Sequence, residues 1–136
     1  MESMEGMEKK AGVQRSPLVD SILNAALEVH RTLGPGLLES TYEQCLAHEL
    51  ATQAVPFELQ VALPVQYKGV RIDCGYRIDM LVANEVIVEL KSVEQLLPIH
   101  EAQILTYLKL SRLRRGLLLN FNVPLLKNGI RSFLLN

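Results

Sequence analysis

Three charged side chains interrupt an otherwise apolar stretch between Tyr76 and Lys91: Asp79, Glu89 and Lys91. Ile78, Met80, Leu81 and Val82, then Val86, Ile87, Val88 and Leu90, have the composition of two strands. The short polar break Ala83-Asn84-Glu85 between them reads as a hairpin turn. Strand residues two apart share a face, so Glu89 and Lys91 point the same way. A three-residue loop makes Val82 face Val86 and brings Asp79 opposite Glu89, where Cβ atoms lie roughly 5 Å apart. A two-residue turn at Asn84-Glu85 would instead set Asp79 opposite Leu90. The register therefore decides whether a cluster exists.

Two carboxylates that close repel each other. A divalent cation reverses the sign, because hard ions such as Mg²⁺ or Mn²⁺ are held by carboxylates together with water and phosphate oxygens. Lys91 would then lie beside the ion, where it can orient water or neutralise a transition-state oxygen. The competing reading is a Glu89–Lys91 ion pair on a solvated sheet face. Against it stands the run Val86-Ile87-Val88-Glu89-Leu90, which suggests a strand buried on both faces. A buried charge demands a partner or a ligand.

The elements that position this hairpin follow from periodicity. Met1 to Arg15 is polar, without apolar period, and reads as a flexible tail. Residues 16–136 are expected to form a single domain. Ser16-Pro17 starts a helix, with Ser as cap and Pro in the first helical position, and Gly34-Pro35-Gly36 stops it. A second helix is expected from Leu37 to Gln53. With Gly36 as its cap, Glu39 takes the third helical position, where a carboxylate can cap backward and suits the macrodipole. Tyr42, one turn on, is assigned to the core. Phe57 to Tyr67 alternates as one strand, with Pro64 marking an edge or bulge. Lys68-Gly69 is a turn, Val70 to Val82 a second strand bent at Gly75, and Val86 to Lys91 a third. Leu97-Pro98 opens a helix through Ser111, with His100, Gln103 and Tyr107 on one face. His100 is read as a structural hydrogen-bonder. Gly116 to Phe121 is a buried strand, which makes a strand–helix–strand crossover with the helix before it. Ile130 to Leu135 closes the chain as a short strand or helix. The order ααβββαβ argues for an α/β fold with a mixed central sheet covered by helices.

At 136 residues the chain suits one domain, and 49% hydrophobic residues suffice for a core packed by aliphatic side chains. The net charge of −1 gives no global pull toward nucleic acid. Its distribution is uneven: no acidic residue follows Glu101, whereas Lys109, Arg112, Arg114, Arg115, Lys127 and Arg131 do. That asymmetry fits a phosphate-facing surface and equally a solvated C-terminal face. Cys45 and Cys74 have neither the number nor the spacing of a zinc site or disulfide framework. No signal peptide or membrane span is evident, so a cytoplasmic setting is the expectation.

Four stretches then fall in a telling order: Gly36-Leu37-Leu38-Glu39-Ser40-Thr41-Tyr42, Tyr76-Arg77-Ile78-Asp79, Glu89-Leu90-Lys91 and His100-Glu101-Ala102-Gln103. Together they resemble the PD-(D/E)XK nuclease superfamily and, within it, the small GxxExxY proteins, from about Leu18 to the C-terminus. Ile78 stands where the loose motif has proline. The resemblance implies a restriction-endonuclease-like core and a metal-dependent phosphodiesterase acting on nucleic acid, DNA in preference to RNA. It implies Mg²⁺ or Mn²⁺ held by Asp79, Glu89 and the Leu90 carbonyl, with Lys91 as the catalytic residue. Glu39 would be a further metal or water ligand, and Gln103 would support the lysine or the substrate. The alternative is a catalytically silent binding or assembly module of the same fold, homo-oligomeric in one version.

Overall fold

The computed structural model describes residues 7–9, as backbone, and 15–136. The expected flexible tail at 1–15 thus lies largely outside the described residues. Within it, Met7–Lys9 forms strand β1. Two helices follow, α1 (Pro17–Leu33) and α2 (Glu39–Thr52). The Ser16 side chain accepts a bond from Val19 N at 3.1 Å, capping α1, while Val19, Ile22, Leu23, Ala26 and Val29 form its buried stripe.

The sheet strands are β2 (Phe57–Ala62), β5 (Arg77–Val82), β6 (Val86–Lys91), β7 (Arg115–Asn120) and β8 (Ile130–Leu135). A small separate sheet holds β3 (Val65–Tyr67) and β4 (Val70–Ile72), and helix α3 (Pro98–Ser111) bridges β6 and β7. The main sheet runs β1-β8-β7-β6-β5-β2. β6 and β7 are parallel, joined through α3 as the sequence predicts, and the remaining neighbours are antiparallel. This is a restriction-endonuclease-like α/β fold, a mixed sheet with α1 and α2 on one face and α3 on the other.

Two of the expected strands are each split. Phe57–Tyr67 breaks at Pro64, which lacks the N–H a ladder needs, and Leu63 N turns to Tyr76 O at 2.9 Å. Val70–Val82 breaks over 73–76, where Asp73 accepts from Gly75 N and Gly75 adopts φ 77°. The excised pieces pair as the β3–β4 hairpin, with Tyr67, Val70 and Ile72 exposed. α2 starts at Glu39 rather than Leu37, with Leu38 as its cap.

Every residue from Val86 to Leu90 is buried, as the apolar run predicts for a central strand with helices on both faces. Val86, Val88 and Leu90 pack toward α1 and α2. Ile87 packs toward α3. By alternation Glu89 and Lys91 lie on the α3 side.

Candidate functional site

The hairpin register is the three-residue one: Val82 pairs with Val86, Leu81 with Ile87 and Met80 with Val88. Ala83 and Asn84 take φ of 51° and 58°, the pattern of a type I′ turn, and Glu85 N closes it on Val82 O. One step further Asp79 meets Glu89, and there the backbone ladder stops. On the other side of β5, pairing with β2 skips the Gln60–Asp79 rung, and Gln60 carries φ 53°. A non-glycine residue at positive φ inside a strand marks a local distortion. β5 therefore loses its ladder on both sides at Asp79.

Side chains fill the fork that opens. Asp79 N donates to Glu89 Oε2 at 2.8 Å, and Leu90 N donates to Asp79 Oδ2 at 3.0 Å. Each carboxylate commits one oxygen to a backbone N–H. The second oxygen of each, Asp79 Oδ1 and Glu89 Oε1, accepts no N–H among the described residues. Glu89 is only 4% exposed. Burial pushes its carboxyl up to about 8, the neighbouring Asp79 charge adds to this, and Lys91 opposes it. Glu89 thus holds its proton well above the usual carboxylate range.

The ends of the fork are tied down. Beyond Lys91, Phe121 N donates to Lys91 O at 2.9 Å. Buried Asn120 exchanges two bonds with the Val93 backbone. Ser92 Oγ donates to Leu37 O at 2.5 Å, which holds the turn before α2 against the end of β6. Tyr42 secures that turn from the core: its hydroxyl donates to Gly34 O and accepts from Leu37 N, and its ring stacks on Phe121 at 4.5 Å.

Glu39 is the first residue of α2 and exposed, and because Leu38, not Gly36, is the cap, it does not take the third helical position that backward capping needs. One turn on, Glu43 faces the fork. It accepts from Gln60 Nε2 at 2.8 Å. Burial raises its carboxyl above the usual range, with Asp79 and Glu39 adding to the effect. Gln103 reaches the fork through Tyr107: its Nε2 donates to the Tyr107 hydroxyl at 3.0 Å. Burial raises the Tyr107 phenol, and the charges of Glu89 and Asp79 push the same way. His100 is structural, its Nδ1 accepting from Leu97 N at the start of α3.

Two of these participants, Glu43 and Gln60, are not among the residues expected from the sequence, and the sequence places Tyr107 on the Gln103 face of α3 without a role at the site. Glu43 carried a signal, since it stands four residues after Glu39 on the same helix face. Gln60 carried none. The C-terminal cations do not form one phosphate-facing surface. Arg115 pairs with Val86, at the end of β6 away from Lys91, and Arg112 caps the far end of α3. Arg114 donates to Leu135 O. Arg131, aligned through Leu118 with Glu89, does share the site's face, and its guanidinium lies 3.9 Å from the Glu101 carboxylate.

A family model described as the PD-(D/E)XK nuclease superfamily matches residues 16–133. The chain belongs to the PD-(D/E)XK nuclease superfamily. Its role is nuclease-like in that general sense, and members of this superfamily generally use divalent metals. Comparison with curated proteins and with solved structures finds no match to either. Among the described residues, no helix is long and apolar enough to cross a membrane.

The donor set at the fork suits a hard cation, being all oxygen. Among the described residues no three His, Cys, Asp or Glu side chains come together as a metal group. An ion on Asp79 and Glu89 would draw its other ligands from a backbone carbonyl, water and substrate, the way Mg²⁺ is usually bound.

Proposed function

We propose that this protein is a divalent-cation-dependent phosphodiesterase acting on nucleic acid, DNA rather than RNA. Asp79 and Glu89, with the Leu90 carbonyl, would hold Mg²⁺ or Mn²⁺. The observation that supports this reading is the strand fork: two carboxylates lean together where the ladder opens, each with one oxygen uncommitted to an N–H. A bound cation would polarise the phosphate and lower the pKa of its water. Lys91 is half-buried on the face of Glu89, and its Nζ makes no hydrogen bond among the described residues. We assign it to position the attacking water and to meet the charge that develops on phosphate. Glu89, whose burial favours its protonated form, would give up a proton when a cation binds. Glu39 and Glu43 stand at the rim as ligands for water or for a further cation. Gln103 orients the Tyr107 hydroxyl toward the carboxylates. The ordered motifs from Gly36 to Gln103 also support a place among the GxxExxY proteins.

The test is gel cleavage of single-stranded, duplex and branched DNA and RNA with Mg²⁺, with Mn²⁺ and with EDTA. Metal-dependent cleavage is expected. Failure of folded protein to cut any substrate would favour the silent binding or assembly module.

A further inference from the structure

Between α3 and the segment that returns from the β3–β4 hairpin lies a groove of about 350 Å³, lined chiefly by apolar groups. Val65, Tyr76, Ile99, Gln103, Thr106 and Tyr107 form its walls. The two tyrosine rings sit 6.2 Å apart at 56°. Tyr76 is 46% exposed and Ile99 67% exposed, a poor place for large apolar groups unless something covers them.

The groove is continuous with the carboxylate fork. Gln103 and Tyr107 belong to both, since they line the groove and are bonded to each other beside Glu89 and Asp79. Tyr76 precedes Asp79 by three residues, roughly 10 Å along an extended chain. Exposed Arg77 lies between them, and Lys68 and Arg71 stand exposed on the adjoining hairpin. A flat apolar slot with aromatic walls, a polar edge from Gln103 and Thr106, and cations alongside matches a nucleobase on its phosphate backbone. An apolar peptide would use the walls but not the cations, and it would have no reason to adjoin a phosphodiester site.

We infer that this groove takes an unstacked nucleobase next to the phosphate being cut, so that the substrate is single-stranded or carries a splayed base at a branch or flap. This rests on the phosphodiesterase reading above and narrows it. A base inside an intact duplex remains stacked on its neighbours and could not enter.

The experiment uses the full-length protein with fluorescein-labelled oligonucleotides. Anisotropy in Ca²⁺ reads the affinity for a single strand, for the same strand with one abasic position, and for the paired duplex. Gel cleavage in Mg²⁺ or Mn²⁺ reads turnover on the same three. Wild type should prefer the single strand. Tyr76→Ala should weaken single-strand binding about tenfold, in line with loss of one stacking partner, and Tyr76→Phe should retain it. Ile99→Ser should act in the same direction as Tyr76→Ala. Both positions are exposed, and melting curves confirm that the variants fold. If wild type cleaves but Tyr76→Ala and Ile99→Ser keep its affinity and preference, the groove inference is overturned while the phosphodiesterase reading stands. If wild type neither binds nor cleaves any of the three, both are overturned.

Discussion

The surroundings of Glu89 favour its neutral form, and that has a sign. Its carboxyl titrates near 8 in the folded chain, against an ordinary value of 4.5. The folded state therefore binds more protons than the unfolded chain between those limits, and this group lowers stability as pH rises from about 4.5 to 8. Glu89→Gln removes the titration and keeps an acceptor for Asp79 N. In EDTA, denaturant unfolding should show wild type losing on the order of a few kcal/mol relative to Glu89→Gln between pH 5 and pH 8. Parallel pH profiles for the two proteins would show that Glu89 is not destabilised by burial. Lys91 is assigned to the chemical step and not to holding the cation. Lys91→Ala should lower turnover ~10²–10³-fold while oligonucleotide binding, read by anisotropy, stays near wild type. Unchanged turnover would remove Lys91 from the mechanism.

Among the elements, the turn from α1 to α2 aligns the rim carboxylates with the fork. Tyr42 holds it through Gly34 O and Leu37 N. Tyr42→Phe keeps the ring stack on Phe121 but leaves both backbone groups without that partner. Thermal unfolding should report a loss of about 1–3 kcal/mol, and turnover should fall as Glu39 and Glu43 lose their placement. A variant with wild-type stability would mean that those groups find water at no cost. The hairpin was readable from the sequence because Ala83-Asn84-Glu85 is a short polar break between two apolar runs, but its register was not, since two- and three-residue turns were both open until the Val82–Val86 pairing decided it. α3 was readable from Leu97-Pro98 and its apolar spacing. The breaks at Pro64 and Gly75 were visible as local punctuation. Their consequence, a separate β3–β4 hairpin, was not, because the spacing alone does not show which partner a short strand leaves. Glu39 misled in a similar way: its cap assignment needed Gly36 in position, and the chain places the helix start two residues later.

For the molecule as a whole, the run of cations after Glu101 reads in sequence as one basic surface, and the fold disperses it. Position along the strand was the missing information: β6 and β7 are parallel, so Arg115 sits beside Val86 and not beside Lys91. The five residue steps from Val86 to Lys91 span roughly 16 Å. Arg112→Gln should therefore leave the salt dependence of oligonucleotide binding unchanged. Arg71→Gln and Arg77→Gln, on the groove side of the fork, should each reduce the slope by roughly 0.7 on single strands, the change expected when one phosphate is no longer neutralised. Anisotropy titrations across a range of salt concentrations measure these slopes, and a reversed pattern would move the nucleic-acid path to the far end of the sheet.

A shared cation on Asp79 and Glu89 underlies every role assigned at the fork. Calorimetric titration of Mn²⁺ and Mg²⁺ into wild type and Asp79→Asn, in buffers of differing ionisation enthalpy, measures affinity and the protons released. Wild type should bind one ion at the fork and release close to one proton at pH 7, because Glu89 must ionise to become a ligand. That release should shrink at pH 9, and Asp79→Asn should lose the binding. Equal binding by both proteins, or none by wild type at concentrations that saturate ordinary magnesium sites, would contradict a shared cation.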